Sequence, residues 1–166
     1  GNDPVQIKKI METRTNGVVD FGTRMNITDD INVAAKNKTT VISIPSQAVR
    51  GLMKELQAYG AKERDYILCM KGIEISTGMR LSQVVREATS PETNIAVWIG
   101  PGHVEEFTKG IPNCMVIDSE NDEYKNHLIS EFSSDLIRFY FGRDLIGNEI
   151  GAAAKNVIGI AAGILD

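Results

Sequence analysis

Short apolar runs recur along the chain and predict the strands of a buried sheet. The first of them shows no polar alternation beyond one serine, which is the pattern of a parallel strand covered on both faces. Turn-forming or charged segments separate the runs, so each is bounded as a strand. The five runs are TTVISI (39–44), DYILCM (65–70), NIAVWI (94–99), NCMVID (113–118) and LIRFYF (136–141).

The segments between these runs predict helices. Asp3 and Pro4 form a favourable helix start, an N-cap followed by proline at the first helical position, and that helix is expected to reach about Thr13. Residues 16–27 are expected to be loop. The alternation of strands and helices predicts an α/β fold with a largely parallel sheet of about five strands. The other predicted helices cover 29–37 (capped by Thr28), 46–59 (capped by Ser46), 81–88, 103–109, 121–132 (capped by Ser119) and a long final segment.

The final segment is almost uniformly small or apolar. Between Gly151 and Leu165 only Lys155 and Asn156 are polar, and the pattern predicts a buried, closely packed helix. Burial would disfavour a lysine's charged form and lower its pKa, which suits a general base. The alternative is a lysine whose alkyl stem lies along the helix while its ammonium group reaches water.

Composition excludes several classes of protein. The 166 residues carry a net charge of −4 and 42% hydrophobic residues, which predicts one globular domain and argues against nucleic-acid or membrane-surface binding. No run reaches the ~20 apolar residues of a membrane span, and no signal peptide opens the chain. Cys69 and Cys114 lie in apolar runs, so we expect reduced core thiols and a cytoplasmic protein. His103 and His127 lack partners at ligand spacing, so no metal site is expected.

Ligand sites in parallel α/β sheets lie at the carboxyl ends of the strands. The segments that follow the first three predicted strands are 45–50, 71–74 and 100–112, and they would converge if those strands are parallel neighbours. Each segment alone also has an ordinary structural explanation. The first fits a turn and helix cap, and the second fits a solvated lysine after a strand. The third fits a flexible turn before a helix, although the amide groups of that helix could also hold an anion.

The string GNEIGAAAKNVIGIAAGI (147–164) resembles the signature of the NAD-dependent glycerol-3-phosphate dehydrogenases. The resemblance implies a partial Rossmann-type, doubly wound fold and a cofactor that is NAD or NADP. It implies hydride transfer between sn-glycerol 3-phosphate and dihydroxyacetone phosphate, used by bacteria mainly to reduce the latter for phospholipid synthesis. In that family the lysine at the position of Lys155 is the catalytic proton acceptor, and Asn156 matches an active-site asparagine.

The same resemblance extends to the three strand-end segments. Lys71 falls on a lysine that contacts glycerol phosphate beside the nicotinamide, and Gly100 falls on the glycine of the substrate loop. Gly102 replaces the Ser, Thr or Asn of most members, so a backbone contact is expected there. The substrate-binding set implied is Lys71, Gly100, Gly102, Lys155 and Asn156. The cofactor-binding set implied is Pro45, Ser46, Lys71 and Val104.

The chain also departs from the family. It contains no G-x-G-x-x-G, since no glycine completes that motif after Gly100-Pro101-Gly102. We therefore expect an internal piece of a dehydrogenase. Residues 1–144 would be an incomplete NAD(P)-binding domain and 145–166 an interdomain helix leading to an all-helical domain. The piece alone is expected to be inactive. We also expect a homo-oligomer, because the apolar final helix and one strand edge would be exposed to solvent.

Two other functions fit the sequence. One is another dehydrogenase that uses a catalytic lysine, such as a 6-phosphogluconate or hydroxyisobutyrate dehydrogenase. The other is a noncatalytic α/β module that binds a nucleotide or a partner. The string KNVIGIAAG favours glycerol-3-phosphate dehydrogenase over the other dehydrogenases. The noncatalytic module stays open for this piece of the chain, because half of the family's site is absent from it.

Overall fold

The computed structural model describes residues 3–59 and 64–165 and shows an α/β fold, as predicted. The strands are β1 (Thr39–Ile42), β2 (Asp65–Leu68), β3 (Ile95–Ile99), β4 (Asn113–Ser119) and β5 (Ile137–Phe141). The helices are α1 (Pro4–Thr13), α2 (Ile31–Ala34), α3 (Val49–Gln57), α4 (Leu81–Ala88), α5 (Val104–Thr108), α6 (Asp122–Phe132) and α7 (Leu145–Leu165), with a 3₁₀ turn at Ser46–Ala48.

All five predicted strands are present within two residues of their expected ends, and α1 and α4 have the expected bounds. Three predicted caps were wrong. The α2 helix is shorter and is capped by Asp30, whose carboxylate accepts from the Asn32 amide. Pro45 precedes the 3₁₀ turn and Ser46 makes no capping bond. Asn121 caps α6, because it directly precedes the helix and its amide oxygen accepts from the Tyr124 amide, whereas Ser119 lies two residues earlier.

The five strands form one sheet in the order β1-β2-β3-β4-β5. The pairs β1–β2, β2–β3 and β4–β5 are parallel, whereas β3 and β4 are antiparallel. The carboxyl ends of β1, β2 and β3 therefore share one edge of the sheet, which we call the β1–β3 edge. The carboxyl ends of β4 and β5 share the opposite edge, which we call the β4–β5 edge.

Helices cover both faces of β2. The expectation that the first predicted strand is covered on both faces was wrong, because β1 lies at the edge of the sheet and Val41 is exposed. Tyr66 and Leu68 pack into the core formed with α3 and α4, while Ile67 faces the core formed with α6. Both sets are almost completely buried. The α4 helix contributes Leu81, Val84, Val85 and Ala88, the i, i+3, i+4, i+7 stripe expected of an amphipathic helix.

The α7 helix is only half covered. Its first part packs against β3 and β4 and buries Glu149 and Ala152, but residues 155–165 are exposed. The prediction of a buried helix was thus wrong for the second part, since no described residue covers it. Both cysteines are free, but only Cys69 is partly buried. The core position expected for Cys114 was wrong, because its side chain is exposed. Within 3–59 and 64–165, no helix has the length and apolar character needed to cross a bilayer.

Candidate active site at the β1–β3 edge

The segments that follow β1 and β2 are joined by side-chain and backbone contacts. The Gln47 amide donates to the Ile73 carbonyl oxygen (2.9 Å) and accepts from the Ile75 amide (2.9 Å). Gly72 has φ +135°, and a Cβ there would lie 2.9 Å from the Ser46 Oγ. Glycine is required on both counts, since other residues rarely adopt this φ and a side chain would meet Ser46. The backbone beside Lys71 therefore lies directly against Ser46.

An ion pair between a buried glutamate and a partly buried arginine fixes the segment after Lys71. The Glu74 carboxylate accepts two parallel bonds of 2.8 Å from the Arg50 guanidinium and one of 2.6 Å from the Thr77 hydroxyl. These bonds favour the ionised carboxylate and lower the pKa of Glu74 to about 2. Arg50 also donates to Glu87 at 2.7 Å. The arginine of α3 thus ties the loop that carries Lys71 to both α3 and α4.

Lys71 and Lys155 meet at the β1–β3 edge. The pKa of Lys71 is lowered by partial desolvation, by the charge of Lys155 and by a hydrogen-bonding contact between the two side chains. Both side chains remain exposed. The expectation of a buried Lys155 was therefore wrong for this chain, and the alternative of a lysine whose ammonium group reaches water fits its exposure.

The antiparallel step in the sheet explains how Lys155 reaches this edge. Because β4 reverses direction, β5 ends at the β4–β5 edge and α7 begins there. The α7 start is fixed by Asp118, whose Oδ2 accepts from the Asp144 amide (2.9 Å) and from the Asn148 side chain (2.7 Å). The ten helical steps from Leu145 to Lys155 then span ~15 Å, close to the ~17 Å of a five-residue strand.

Asp118 belongs to a buried polar cluster that holds α6 and β5 as well. Its Oδ1 accepts from Lys125 at 3.2 Å, and the Lys125 ammonium also donates to Asp122 (2.9 Å) and to the Gly142 carbonyl (2.8 Å). Burial opposes the charge on Lys125, but hydrogen bonds to Asp122 and Asp118 outweigh it and raise its pKa. The cluster is fully hydrogen-bonded, which makes it a structural anchor.

The third segment follows β3 and packs on β4. A Cβ at Gly100 would lie 2.7 Å from the Met115 Cγ, and one at Gly102 would lie 2.1 Å from the Met115 Cε and 3.1 Å from Phe107. The Met115 sulfur in turn accepts from the Trp98 indole at 2.5 Å. The two glycines therefore let the loop lie flat on Met115 and offer only backbone groups.

The remaining predicted residues lie on exposed elements near these segments. Pro45 is exposed before the 3₁₀ turn, and Val104 is exposed at the first position of α5. Asn156 is exposed beside Lys155 on α7. The structure joins the segments of Ser46 and Lys71 directly and brings Lys71 to Lys155, whereas Gly100, Gly102 and Val104 belong to the third segment of the same edge.

Sequence reasoning missed the groups that hold these residues in place: Gln47, Arg50, Glu74 and Asp118. A carboxylate at the end of an apolar run, as Asp118 is in NCMVID, was the available signal. Within the described part of the chain, no group of three or more His, Cys, Asp or Glu residues is placed to bind a metal.

A family comparison identifies the family of this chain. The family model described as NAD-dependent glycerol-3-phosphate dehydrogenase N-terminus matches residues 1–125. The chain belongs to this family. A Clostridium tetani relative named glycerol-3-phosphate dehydrogenase [NAD(P)+] is 39% identical over 129 residues, covering 78% of the chain and 37% of the relative. One of the same name from a Thermoanaerobacter species is 34% identical over 168 residues, covering 99% and 50%. The chain thus spans about half or less of these relatives.

Solved structures show the same Rossmann-type fold. Glycerol-3-phosphate dehydrogenase from Coxiella burnetii matches with a TM-score of 0.87 at 20% identity, covering 98% of this chain and 51% of that one. The Saccharomyces cerevisiae enzyme matches with a TM-score of 0.72 at 18% identity, covering 95% and 49%. At these identities the likeness concerns the fold.

Proposed function

We propose that this chain supplies the β1–β3 edge of an active site that interconverts sn-glycerol 3-phosphate and dihydroxyacetone phosphate with NAD or NADP. The observation that carries the proposal is the meeting of Lys71 and Lys155. One comes from the loop after β2 and the other from α7, and they meet at the edge where α/β sheets bind their ligands. Two adjacent cations suit a phosphorylated substrate, because its charge offsets their repulsion.

In the proposed mechanism the two lysines have different tasks. Lys155 moves the proton of the substrate hydroxyl, as a base in oxidation and as an acid in reduction. Lys71 binds the anionic substrate, and partial desolvation and the charge of Lys155 lower its pKa. Asn156 follows Lys155 and supplies a polar amide to the substrate. Backbone groups of Gly100 and Gly102 border the substrate, since no side chain is present there.

The edge fits one end of a nicotinamide cofactor. Gly72 lies so close to Ser46 that a Cβ at Gly72 would fill the space between them. Pro45, Ser46 and the Lys71 loop therefore form one continuous surface. These residues, with Val104, would hold the nicotinamide end. The cofactor, when bound, supplies the hydride chemistry. The glycine-rich turn that binds the pyrophosphate is absent from this sequence, so the chain provides part of the cofactor site.

We also propose the organisation expected from the sequence. Residues 1–144 form an incomplete NAD(P)-binding domain, and 145–166 form a helix between domains. Support comes from α7, whose first part packs on the sheet while residues 155–165 are exposed. That exposed apolar surface also supports a homo-oligomer. Two free thiols agree with a cytoplasmic protein.

A substrate panel tests the proposed reaction in the longer protein that contains this chain. Oxidation of reduced cofactor is followed with dihydroxyacetone phosphate and with unphosphorylated dihydroxyacetone. Oxidised cofactor is then offered with glycerol 3-phosphate, 6-phosphogluconate or 3-hydroxyisobutyrate. We expect turnover with the three-carbon phosphates alone. Faster turnover with 6-phosphogluconate or 3-hydroxyisobutyrate would mean that the protein is one of the other lysine-dependent dehydrogenases. No turnover with any substrate would favour a noncatalytic module.

A further inference from the structure

Glu149 is a buried carboxylate on α7 whose partners all belong to the start of α4. Its Oε1 accepts from the Ser82 amide at 2.9 Å, and its Oε2 accepts from the Ser82 hydroxyl at 2.6 Å. Oε2 also accepts from the Arg80 guanidinium, which donates a second bond of 2.9 Å to the Ser82 hydroxyl. Glu149 and Ser82 are each 6% exposed. The three residues thus form a closed, hydrogen-bonded group.

This group caps one helix with a residue from another. Ser82 is the second residue of α4, and its amide would otherwise lack a partner within the helix. A carboxylate at this position satisfies that donor and lies at the positive end of the helix dipole. Any rotation or sliding of α7 would withdraw Glu149 and leave a buried charge and a buried amide unpaired, so the geometry of α7 is fixed at this point.

The position of Glu149 along α7 matters for Lys155. Glu149 and Ala152 lie on the stripe of α7 that faces the protein, three residues apart. Lys155 lies six residues beyond Glu149, or ~9 Å along the axis. From Lys155 to Leu165 the helix is exposed. The last buried charged anchor before the lysine is therefore Glu149.

We propose that Glu149, through its bonds to Ser82 and Arg80, is the positioning residue that holds Lys155 against Lys71. The inference rests on the proposed function for its catalytic meaning, but the placement itself is a property of this chain. Asp118 fixes where α7 begins, and Glu149 fixes its rotation and depth over α4. Both are needed, because an error in rotation at Glu149 carries Lys155 around the helix and away from the β2 loop.

The test measures the Lys71 titration in the 166-residue chain. Acetylation rates of individual lysines are followed by mass spectrometry across a pH series, with exposed Lys54 of α3 as the internal reference. Lys155→Met removes the neighbouring charge and should move the Lys71 midpoint upward, toward its ordinary value. Glu149→Gln keeps the side-chain volume but replaces one of the two acceptor oxygens by an NH2 donor, so it cannot make all three bonds, and it should move Lys71 in the same direction. Glu131→Gln, an exposed change on α6, should leave Lys71 as in the wild type.

The outcomes separate positioning from stability. A folded Glu149→Gln chain with wild-type Lys71 titration, alongside a shifted Lys155→Met chain, would overturn the proposal. No shift in Lys155→Met would overturn it as well, because the two lysines would then not be neighbours. Circular dichroism checks folding. If Glu149→Gln does not fold, Ser82→Ala is used instead, because it removes the bond from the Ser82 hydroxyl to Glu149. A small upward shift of the Lys71 midpoint would then support the proposal, and an unchanged midpoint would overturn it.

Activity supplies an independent arm. In the longer protein, Glu149→Gln should lower kcat by up to ~100-fold while leaving the KM for the cofactor within about twofold, since a small misplacement of a reacting group has effects of that size. The titration requires no turnover. It therefore decides the positioning role even if the substrate panel shows that the proposed reaction is wrong.

Discussion

The amino groups of Lys71 and Lys155 are neighbours, although one follows the second strand and the other lies midway along the last helix. Partial desolvation and the charge of Lys155 lower the pKa of Lys71. In the proposed mechanism Lys155 moves the proton of the substrate hydroxyl, whereas Lys71 binds the anionic substrate.

Replacing Lys155 tests this division of tasks. In the longer protein, Lys155→Met should lower the rate by ~10²–10⁴-fold, the usual contribution of an acid or base. The side chain keeps its length and loses its proton carrier, so cofactor affinity should remain close to that of the wild type. Steady-state kinetics and cofactor titration measure both. Rates within tenfold of the wild type would mean that Lys155 is an ordinary solvated lysine.

The 166-residue chain alone should show no measurable turnover. It lacks the G-x-G-x-x-G turn, and it spans 37% of the Clostridium tetani relative and 50% of the Thermoanaerobacter relative. Oxidation of reduced cofactor in the presence of dihydroxyacetone phosphate measures this. Clear turnover that Lys155→Ala abolishes would show that the described edge suffices for catalysis.

The partly buried Arg50–Glu74 pair predicts a specific acid sensitivity. The pKa of Glu74 in the folded chain is about 2, below its ordinary value of 4.5. A depressed carboxylate pKa contributes stability that is fully present above pH ~4.5 and is lost as the pH falls toward 2. Urea unfolding should therefore show Glu74→Gln to be less stable than the wild type at pH 6, with the difference shrinking below pH 4.5.

The exposed Glu131→Gln change is the matched control for that series. It should alter neither the stability at pH 6 nor its decline in acid. A Glu74→Gln chain that tracks the wild type at every pH would show that the Arg50 contact is already satisfied without the carboxylate charge.

Much of the fold was predictable because local patterns determined it. The spacing of Leu81, Val84, Val85 and Ala88 defines both the bounds and the buried face of α4. The direction of β4 was not predictable. The run NCMVID is compatible with either direction, and the connection 100–112 is long enough to allow both. That single reversal decides where α7 begins, and therefore that its lysine arrives at the β1–β3 edge.

The candidate site divides in the same way. Lys71 and Lys155 follow from their motifs, but the residues that place them do not. Glu74, Asp118 and Glu149 find partners far away along the chain, and no periodicity marks a carboxylate that is buried by such distant contacts. The burial expected of Lys155 failed for a related reason, because an apolar helix does not reveal which of its faces this chain can cover.

Gly142 should tolerate no side chain. A Cβ at this position would lie 2.4 Å from both Cβ and Cγ of Asp118, whose carboxylate is held by its hydrogen bonds to Lys125, Asp144 and Asn148. Asp118 cannot move aside without breaking them. Gly142→Ala should therefore destabilise the chain by about 3 kcal/mol, at the upper end of overpacking costs.

The control for Gly142→Ala is Gly151→Ala on the exposed side of α7. A Cβ there meets nothing within 4 Å, and replacing a helical glycine by alanine stabilises by roughly 0.5–1 kcal/mol. Chemical denaturation of the two variants should give changes of opposite sign. Equal stability of Gly142→Ala and the wild type would mean that the Asp118 cluster can rearrange at little cost.

The exposed part of α7 predicts self-association. Five of its aliphatic side chains are 66–88% exposed, and exposed apolar patches of this kind mark interfaces. They are Val157, Ile158, Ile160, Ile164 and Leu165. The β1 strand adds an edge that pairs only with β2 in the described sheet, and Val41 on it is half exposed. The described residues 3–27 leave the α7 patch exposed, and a net charge of −4 is weak opposition at ordinary salt.

Light scattering at micromolar concentration should therefore give a dimer, a larger species or poor solubility. Two changes on the patch, Ile158→Lys and Ile160→Lys, should restore a monomer by placing charge on it. The matched control is Val5→Lys on α1, which alters an aliphatic side chain of similar exposure (78%) outside the patch and should leave association unchanged. A wild-type monomer would mean that the patch is covered in solution. If the Val5 and α7 variants had equal effects, association would depend on net charge rather than on α7.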